Sequence, residues 1–220
     1  MAKLTTALVE AQARRMVGSR HVHGAVLAVD HHAAPGPHIA AAGDLAPGSQ
    51  FCAASNTKLI VTIVIMRLVD AGRIALDDPM AAHLPGEMIG GLHLPRYLAS
   101  VQAEGGMVTT ASELATIGRA VFEGRLFDID ALLAQQDWRM IFWPGQFYFG
   151  LGMEKLWTPW FISPWQPIRD VMGFWCQTGA FVFHHPATEV TFAGTVNQAN
   201  GRGHAAAMRA MLSVIRAARR

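Results

Sequence analysis

The sequence predicts an α+β fold in which both ends of the chain contribute strands to one antiparallel sheet with helices packed on it. Two short strand patterns occur at residues 24–30 and 38–44, and the last third of the chain contains three more. The residues between them have mainly helical spacing. Because sheets form most simply when connections are short, this order favours one sheet built from the two ends.

A chain of 220 residues is expected to form a single domain. We assign residues 1–50 and 147–220 to its sheet part and residues 51–146 to a reduced helical part. This division follows the change from strand patterns to helical spacing along the chain.

The N-terminal part begins with an amphipathic helix pattern at residues 4–17, which Gly18 ends. A loop rich in proline and glycine at 32–37 then predicts a hairpin between the two strands. The apolar run Leu59 to Met66 could be a buried strand. We favour a helix ending near Ala71, because apolar residues continue beyond the run without a turn signal.

The second half of the chain contains two more helix starts and a segment rich in aromatic residues. Thr110 and Glu113 have the spacing of a capping box, and a short helix is expected at 128–136. All 6 tryptophans lie within 138–175, which predicts ordered loops that form either a core or the wall of an apolar cleft. Strands are predicted at 149–153, 180–185 and 190–198, and a closing helix at 204–219.

Composition excludes several classes of protein. With 51% apolar residues, 15% charged residues and a net charge of +2, the chain is globular and is not expected to bind nucleic acid. Its 2 cysteines lack metal-ligand spacing, so we expect no metal and no cofactor. No signal peptide and no membrane-spanning run is visible, which predicts a cytoplasmic protein, or a periplasmic one if a leader was removed.

Chemistry is indicated by Ser55 and Lys58, which precede the long apolar run. At spacing i and i+3 on a helix, the hydroxyl and the amine lie on one face, one turn apart. An amine whose pKa is lowered by burial can take the proton of a serine hydroxyl and make it a nucleophile. Alternatively, Ser55 is an ordinary helix N-cap and Lys58 a solvated residue of the first turn.

Several segments in the same order resemble the serine β-lactamase and penicillin-binding-protein superfamily, in particular its class C-like branch of D-alanyl-D-alanine peptidases and β-lactamase-type carboxylesterases. The segment with Ser55 is similar to the family's A-S-x-T-K. The other matching segments are Leu76-Asp-Asp-Pro79, Leu84-Pro85, Gly105-Gly-Met-Val-Thr-Thr-Ala-Ser-Glu-Leu114, Phe149-Gly-Leu-Gly-Met153 and Gly194-Thr-Val-Asn-Gln198. The resemblance implies a β-lactamase/transpeptidase-like fold with Ser55 as nucleophile and Lys58 as base.

The chain departs from this family in its helical region. Relatives carry a long helical insertion with a Tyr-x-Asn motif, whose tyrosine moves protons at the nucleophile. Here only residues 86–104 fill that space, with Tyr97 as the sole tyrosine and no matching asparagine. The helical lobe is therefore predicted to be truncated, with Tyr97 as the candidate third catalytic residue.

A second departure affects the motif H-[ST]-G or K-[ST]-G on the strand beside the nucleophile. In the favoured register, Phe174, Trp175 and Cys176 replace this triplet and contact substrate. The backbone N–H groups of Ser55 and Gln177 would then form the oxyanion hole. The alternative register uses Gln177-Thr178-Gly179 as the triplet and displaces the following strand.

Two functions remain open at this point. The first is a serine hydrolase that acts on small, neutral esters or amides through an acyl-serine intermediate. The second is a catalytically degenerate relative that binds a small apolar ligand or a partner protein. In both cases the missing helical insertion predicts a homo-oligomer, because the apolar surface that it covers in relatives must be shielded in another way.

Overall fold

The computed structural model describes residues 4–83, 105–142, 147–158, 167–198 and 201–219. Its centre is an antiparallel sheet of 8 strands in the order β2-β1-β10-β9-β8-β7-β6-β5. These strands are β1 Gly24–His31, β2 His38–Gly43, β5 Arg139–Phe142, β6 Phe147–Phe149, β7 Glu154–Leu156, β8 Val171–Trp175, β9 Ala180–His185 and β10 Val190–Thr195. The short strands β3, Phe51–Cys52, and β4, Val108–Thr109, pair separately.

Strands from the two ends of the chain are direct neighbours in this sheet. The N-terminal strand β1 pairs with the C-terminal strand β10, with Val26 opposite Thr195 and His31 opposite Val190. The predicted α+β class and the sheet built from both chain ends are thus confirmed.

The aromatic segment differs from its prediction, because it contributes strands rather than loops alone. Residues 147–149 form β6 and 154–156 form β7, so Phe149 of the expected strand 149–153 ends β6 and residues 150–153 are the connection to β7. Strand β5 extends the sheet to residue 139, which the sequence analysis had assigned to the helical part. Aromatic residues favour strands when one face is covered, and Pro167 precedes β8 without interrupting it.

Helices cover both faces of the sheet. They are α1 Thr6–Val17, α2 Thr57–Asp70, α3 Met80–His83, α4 Ala111–Phe122, α5 Ile129–Ala134 and α6 Gly201–Ala218. One core cluster joins α1 and α6 to Phe181, Phe183 and Phe192 of the sheet. A second cluster on the opposite face joins Leu59 of α2 and Leu114 of α4 to Val26 and Val182.

The helix signals in the sequence have the predicted physical basis. Thr110 caps α4 with its side chain, and the Glu113 carboxylate accepts a hydrogen bond from the Thr110 N–H at 2.8 Å, which completes the capping box. Gly72 has φ +64 just beyond α2, a conformation that glycine adopts without strain. No helix in the described part of the chain has the length and apolar character needed to cross a membrane.

Candidate active site

Ser55 lies where the chain passes from β3 into α2. Residues Ala54–Asn56 form a single 3-10 turn, and α2 continues directly from it. Ala54 has φ 45, a left-handed conformation that is unusual for a residue with a Cβ atom and is often found beside functional groups. Asn56 is fully buried and donates from Nδ2 to the Ala53 carbonyl at 3.0 Å. The backbone around Ser55 is therefore fixed on both sides.

Ser55 and Lys58 contact each other as the sequence predicts. Lys58 Nζ donates to Ser55 Oγ at 3.0 Å, and both residues are half-buried. At this distance a proton can pass from Ser55 Oγ to Lys58 Nζ once the lysine is neutral and the hydroxyl becomes the donor. The arrangement has the geometry of an activated serine nucleophile.

The end of β8 lies beside this pair. Phe174 and Trp175 are the last residues of β8, Cys176 follows, and Gln177 begins the turn to β9. Thr178 of that turn donates its hydroxyl to the Cys52 carbonyl at 3.2 Å, which ties the turn to the strand preceding Ser55. Within the described residues, the Gln177 N–H donates to no backbone or side-chain acceptor.

The three residues predicted to contact substrate are more buried than a binding surface requires. Phe174, Trp175 and Cys176 are 2%, 6% and 3% exposed. They form the floor of the site because strand β8 is covered on both faces by the core clusters. The exposed aromatic surface belongs to Phe149, which is 41% exposed and packs edge-on against Phe174 with ring centroids 5.7 Å apart.

Ser55 opens into a cleft of about 740 Å³. Its polar lining is Ser55, Lys58, Glu154, Gln177 and His204, and its aromatic lining is Phe147, Phe149, Phe174 and Trp175. The aromatic segment thus supplies a cleft wall as well as core residues. The predicted catalytic residue Tyr97 lies outside the described residues.

Glu154 is a functional candidate that the sequence analysis missed. It lies on β7 and is only 7% exposed. Its Oε2 accepts a hydrogen bond from the backbone N–H of Trp175 at 2.9 Å. Burial raises the pKa of Glu154 to about 7, although the Trp175 N–H and the positive charge of Lys58 oppose the shift. The sequence does place this carboxylate within an apolar, strand-forming segment, which is a signal that could have identified Glu154 as a functional candidate.

His204, at the start of α6, was also missed. Its Nε2 donates to the Cys176 carbonyl at 2.9 Å, which leaves Nδ1 as the unprotonated nitrogen. Its ring packs edge-on against Trp175 with centroids 4.6 Å apart. Burial lowers the pKa of His204, so the imidazole is neutral at pH 7 and holds the chain at the end of β8.

The raised pKa of Glu154 predicts how stability depends on pH. Its pKa changes from the ordinary 4.5 in the unfolded chain to about 7 in the folded protein, so the folded state takes up a proton between these values. Stability from this group is fully present below pH 4.5 and is lost as the pH rises through 7, by up to about 3 kcal/mol.

Glu154→Gln should therefore stabilise the protein at about pH 8 and change its stability little at about pH 4. The glutamine carbonyl can still accept the Trp175 N–H. Thermal unfolding of both proteins across this pH range measures the difference in melting temperature. A difference that does not grow with pH would contradict the raised pKa of Glu154.

Comparisons with known proteins agree with this architecture. A family model described as Beta-lactamase matches residues 9–95. No curated protein matches the chain significantly.

Solved structures match over most of the chain. The D-amino acid amidase of Ochrobactrum anthropi SV3, in complex with D-phenylalanine, superposes with a TM-score of 0.73 at 12% identity, over 96% of this chain and 99% of that one. A D-stereospecific amidohydrolase from Streptomyces sp. gives 0.67 at 15% identity, over 90% and 97% of the two chains. A β-lactamase from Mycobacterium bovis gives 0.60 at 18% identity, over 87% and 93%.

At these identities the solved structures establish the fold, and the family model covers the segment that contains Ser55 and Lys58. The order of motifs along the chain agrees with both findings. Residues 9–95 are therefore similar to the Beta-lactamase family, and the chain has the same fold as these amidohydrolase and β-lactamase structures.

Proposed function

We propose that this protein is a serine hydrolase of the β-lactamase-type esterase kind, which cleaves small esters or amides through an acyl-Ser55 intermediate. The observation that carries the proposal is the 3.0 Å contact between Lys58 Nζ and Ser55 Oγ at the base of a cleft. A hydroxyl and an amine at this distance, in a cleft of this size, have the geometry of nucleophilic catalysis.

In the acylation step, neutral Lys58 accepts the Ser55 hydroxyl proton while Oγ attacks the substrate carbonyl carbon. The bond from that carbon to the leaving group then breaks. Lys58 returns the proton to the leaving oxygen or nitrogen, which departs as an alcohol or amine. The acyl group remains on Ser55 until water releases it as an acid.

The developing negative charge needs hydrogen-bond donors at the carbonyl oxygen. We assign this role to the backbone N–H groups of Ser55 and Gln177. The N–H groups of the first turn of a helix have no intrahelical acceptor, and the Gln177 N–H has no acceptor within the described residues. The favoured register of the third motif is supported because Gln177, Thr178 and Gly179 form the turn after β8.

The lining of the cleft favours substrates with an apolar acyl part. Its wall includes Phe147 and Phe149, and its floor is formed by Phe174 and Trp175. The similar structures include a D-amino acid amidase and a D-stereospecific amidohydrolase, which supports amides beside esters as substrates. This assignment is a proposal for the present chain.

The test is covalent labelling with a fluorophosphonate, which reacts with activated serine hydroxyls. Intact-mass measurement should show one adduct, and peptide mapping should place it on Ser55. Ser213, a half-buried serine of α6 whose hydroxyl donates to the Arg209 carbonyl, serves as the reference that should remain unmodified. A protein without an adduct on Ser55 is not a serine hydrolase.

A second candidate is a relative without catalysis that binds a small apolar ligand or a partner protein. The observation that favours it is the third motif, where Phe174 and Trp175 are buried and supply neither a cationic nor a hydroxyl side chain. Such a protein would keep the cleft and bind an apolar ligand there. Labelling separates the two functions, because ligand binding alone leaves Ser55 unlabelled.

Self-association is predicted in either case. Helix α2 exposes 39% of Val61, 53% of Val64 and 38% of Ile65. Soluble monomeric proteins rarely leave a large contiguous apolar patch exposed to solvent. The connection at 86–104, expected at or near the contact, lies outside the described residues.

Size-exclusion chromatography with light scattering should therefore give the mass of a dimer or a larger species. Val64→Lys should shift the protein towards the monomer, whereas Arg14→Lys, on the exposed side of α1, should not. A strictly monomeric wild-type protein at high concentration would contradict the prediction.

A further inference from the structure

Glu154 is the only carboxylate that lines the Ser55 cleft within the described residues. It comes from β7, on the opposite side of β8 from β9, and not from the helices that carry Ser55 and Lys58. A buried carboxylate is unfavourable unless it is hydrogen-bonded, and among the described residues this one accepts from one backbone N–H, at 2.9 Å. The sheet thus holds an acid–base group in the cleft at a definite position.

The hydrogen bond from the Trp175 N–H determines how this carboxylate can act. Because Oε2 accepts that bond, Oε1 is the oxygen that remains for a proton from the cleft. Trp175 belongs to β8, the strand that also leads to Gln177. Strand β8 therefore both holds the Glu154 carboxylate and leads to the Gln177 N–H, which we assign to the oxyanion hole.

We propose that Glu154 is the general base that activates water for release of the acyl group from Ser55. This inference rests on the proposed function. In this step Glu154 Oε1 takes one proton from water while the water oxygen bonds to the acyl carbon. The bond from that carbon to Ser55 Oγ then breaks, the proton that Glu154 took from water passes through Lys58 to Oγ, and the acid leaves.

The acid–base properties of the group suit this role. A general base is most effective when its pKa lies near the working pH, and burial raises the pKa of Glu154 to about 7. Among the described residues, the other titratable groups that line the cleft are Lys58, whose charge lowers the pKa of Glu154, His204, and Cys176, whose thiol pKa is raised by burial. His204 instead holds the Cys176 carbonyl through Nε2, so we regard it as a positioning residue.

The contacts of Lys58 and Glu154 assign them different steps. Lys58 is bonded directly to Ser55 Oγ, so it is placed for the proton of the nucleophile. The leaving group of a p-nitrophenyl ester departs as the stable p-nitrophenolate anion, so it does not need the proton that Lys58 took from Ser55. Lys58 then stays protonated after acylation, and water requires a second acceptor, which Glu154 provides.

The experiment compares wild type, Glu154→Gln and the control Lys155→Gln, a neighbour on β7 whose ammonium lies over the Trp138 ring outside the cleft lining. Each protein is mixed with p-nitrophenyl acetate, and acyl-Ser55 is followed by quenched-flow intact mass. We expect Glu154→Gln to acylate but to release the acyl group about a hundredfold or more slowly, so that the adduct accumulates. Lys155→Gln should behave like wild type.

The pH dependence gives a second readout that needs no variant. In wild type the release rate should fall as the pH drops through about 7, since the carboxylate form of Glu154 is lost there. Glu154→Gln should lose this dependence.

Three outcomes overturn the inference. Release by Glu154→Gln at the wild-type rate rejects Glu154 while leaving the serine hydrolase intact. If the variant fails to fold, a wild-type release rate that does not change between about pH 5 and pH 8 rejects Glu154 in the same way. Absence of any acyl adduct on wild type rejects the proposed function, and the role of Glu154 with it.

Discussion

Replacing Ser55 with alanine is expected to abolish turnover of an activated short-chain ester while leaving the melting temperature nearly unchanged. The substitution removes only the hydroxyl oxygen, which is the atom that attacks the substrate in the proposed mechanism. Loss of a nucleophile removes the covalent route entirely, so the expected decrease in kcat is about a thousandfold or more. Ser55 is half-buried at the start of a helix, and alanine keeps the Cβ atom and favours the helical backbone.

The control is Ser213→Ala, which removes a hydroxyl from α6 and should leave turnover unchanged. The rate must be corrected for background, because the chain contains 10 histidines and free imidazoles hydrolyse activated esters slowly. Chemically denatured protein gives that background. Ester turnover that survives in Ser55→Ala after this correction would remove Ser55 from the mechanism.

The central strands of the sheet could be predicted because their apolar residues lie in short runs between turn signals. The runs at 24–30, 180–185 and 190–198 correspond to β1, β9 and β10 in the structure. Strands β5 to β7 were missed in whole or in part. They contain only three or four residues each, and a strand of that length is defined by its partner rather than by its own sequence.

The candidate site also combines a contact that local sequence predicts with contacts that depend on the whole fold. Ser55 and Lys58 could be paired from the sequence because they are one helical turn apart, so local geometry alone brings them together. Glu154 reaches the cleft only because β7 pairs with β8, and His204 only because α6 packs beside Trp175. No local pattern encodes those two contacts, since they depend on the strand order of the whole sheet.

The residues predicted to form the third motif are buried in the structure. The sequence analysis put Phe174 and Trp175 beside the nucleophile, and both do line the cleft. It did not predict that they are core residues, which would require knowing that both faces of β8 are covered. Replacing either with a small residue would remove a large core side chain, at about 3–5 kcal/mol, and would confuse specificity with unfolding.

Substrate choice is expected to favour a neutral p-nitrophenyl ester over nitrocefin by a factor of roughly a hundred or more in kcat/KM. Nitrocefin carries a carboxylate, which would lose its hydration against the aromatic lining of the cleft. Among the described residues of that lining, Lys58 is the only lysine or arginine, and it donates to Ser55 Oγ. The nearby Glu154 carboxylate repels a second negative charge. An unpaired buried charge costs several kcal/mol, and each 1.4 kcal/mol is about tenfold.

A cation placed at the rim of the cleft should weaken this discrimination. Phe149→Lys places an ammonium on a cleft residue that is 41% exposed, so the change does not disturb the core. Leu151→Lys is the matched control. Leu151 is 43% exposed, lies in the connection just after β6, and does not line the cleft. Phe149→Lys should raise kcat/KM for nitrocefin relative to the ester, and Leu151→Lys should not.

A wild-type protein that prefers nitrocefin would contradict this account of the third motif. It would mean that a polar group meets the substrate carboxylate in spite of Phe174 and Trp175. The turn residues Gln177, Thr178 and Gly179 would then take the place of the triplet. In that case Thr178→Val, which removes the hydroxyl that reaches the Cys52 carbonyl, should decrease nitrocefin turnover more than ester turnover.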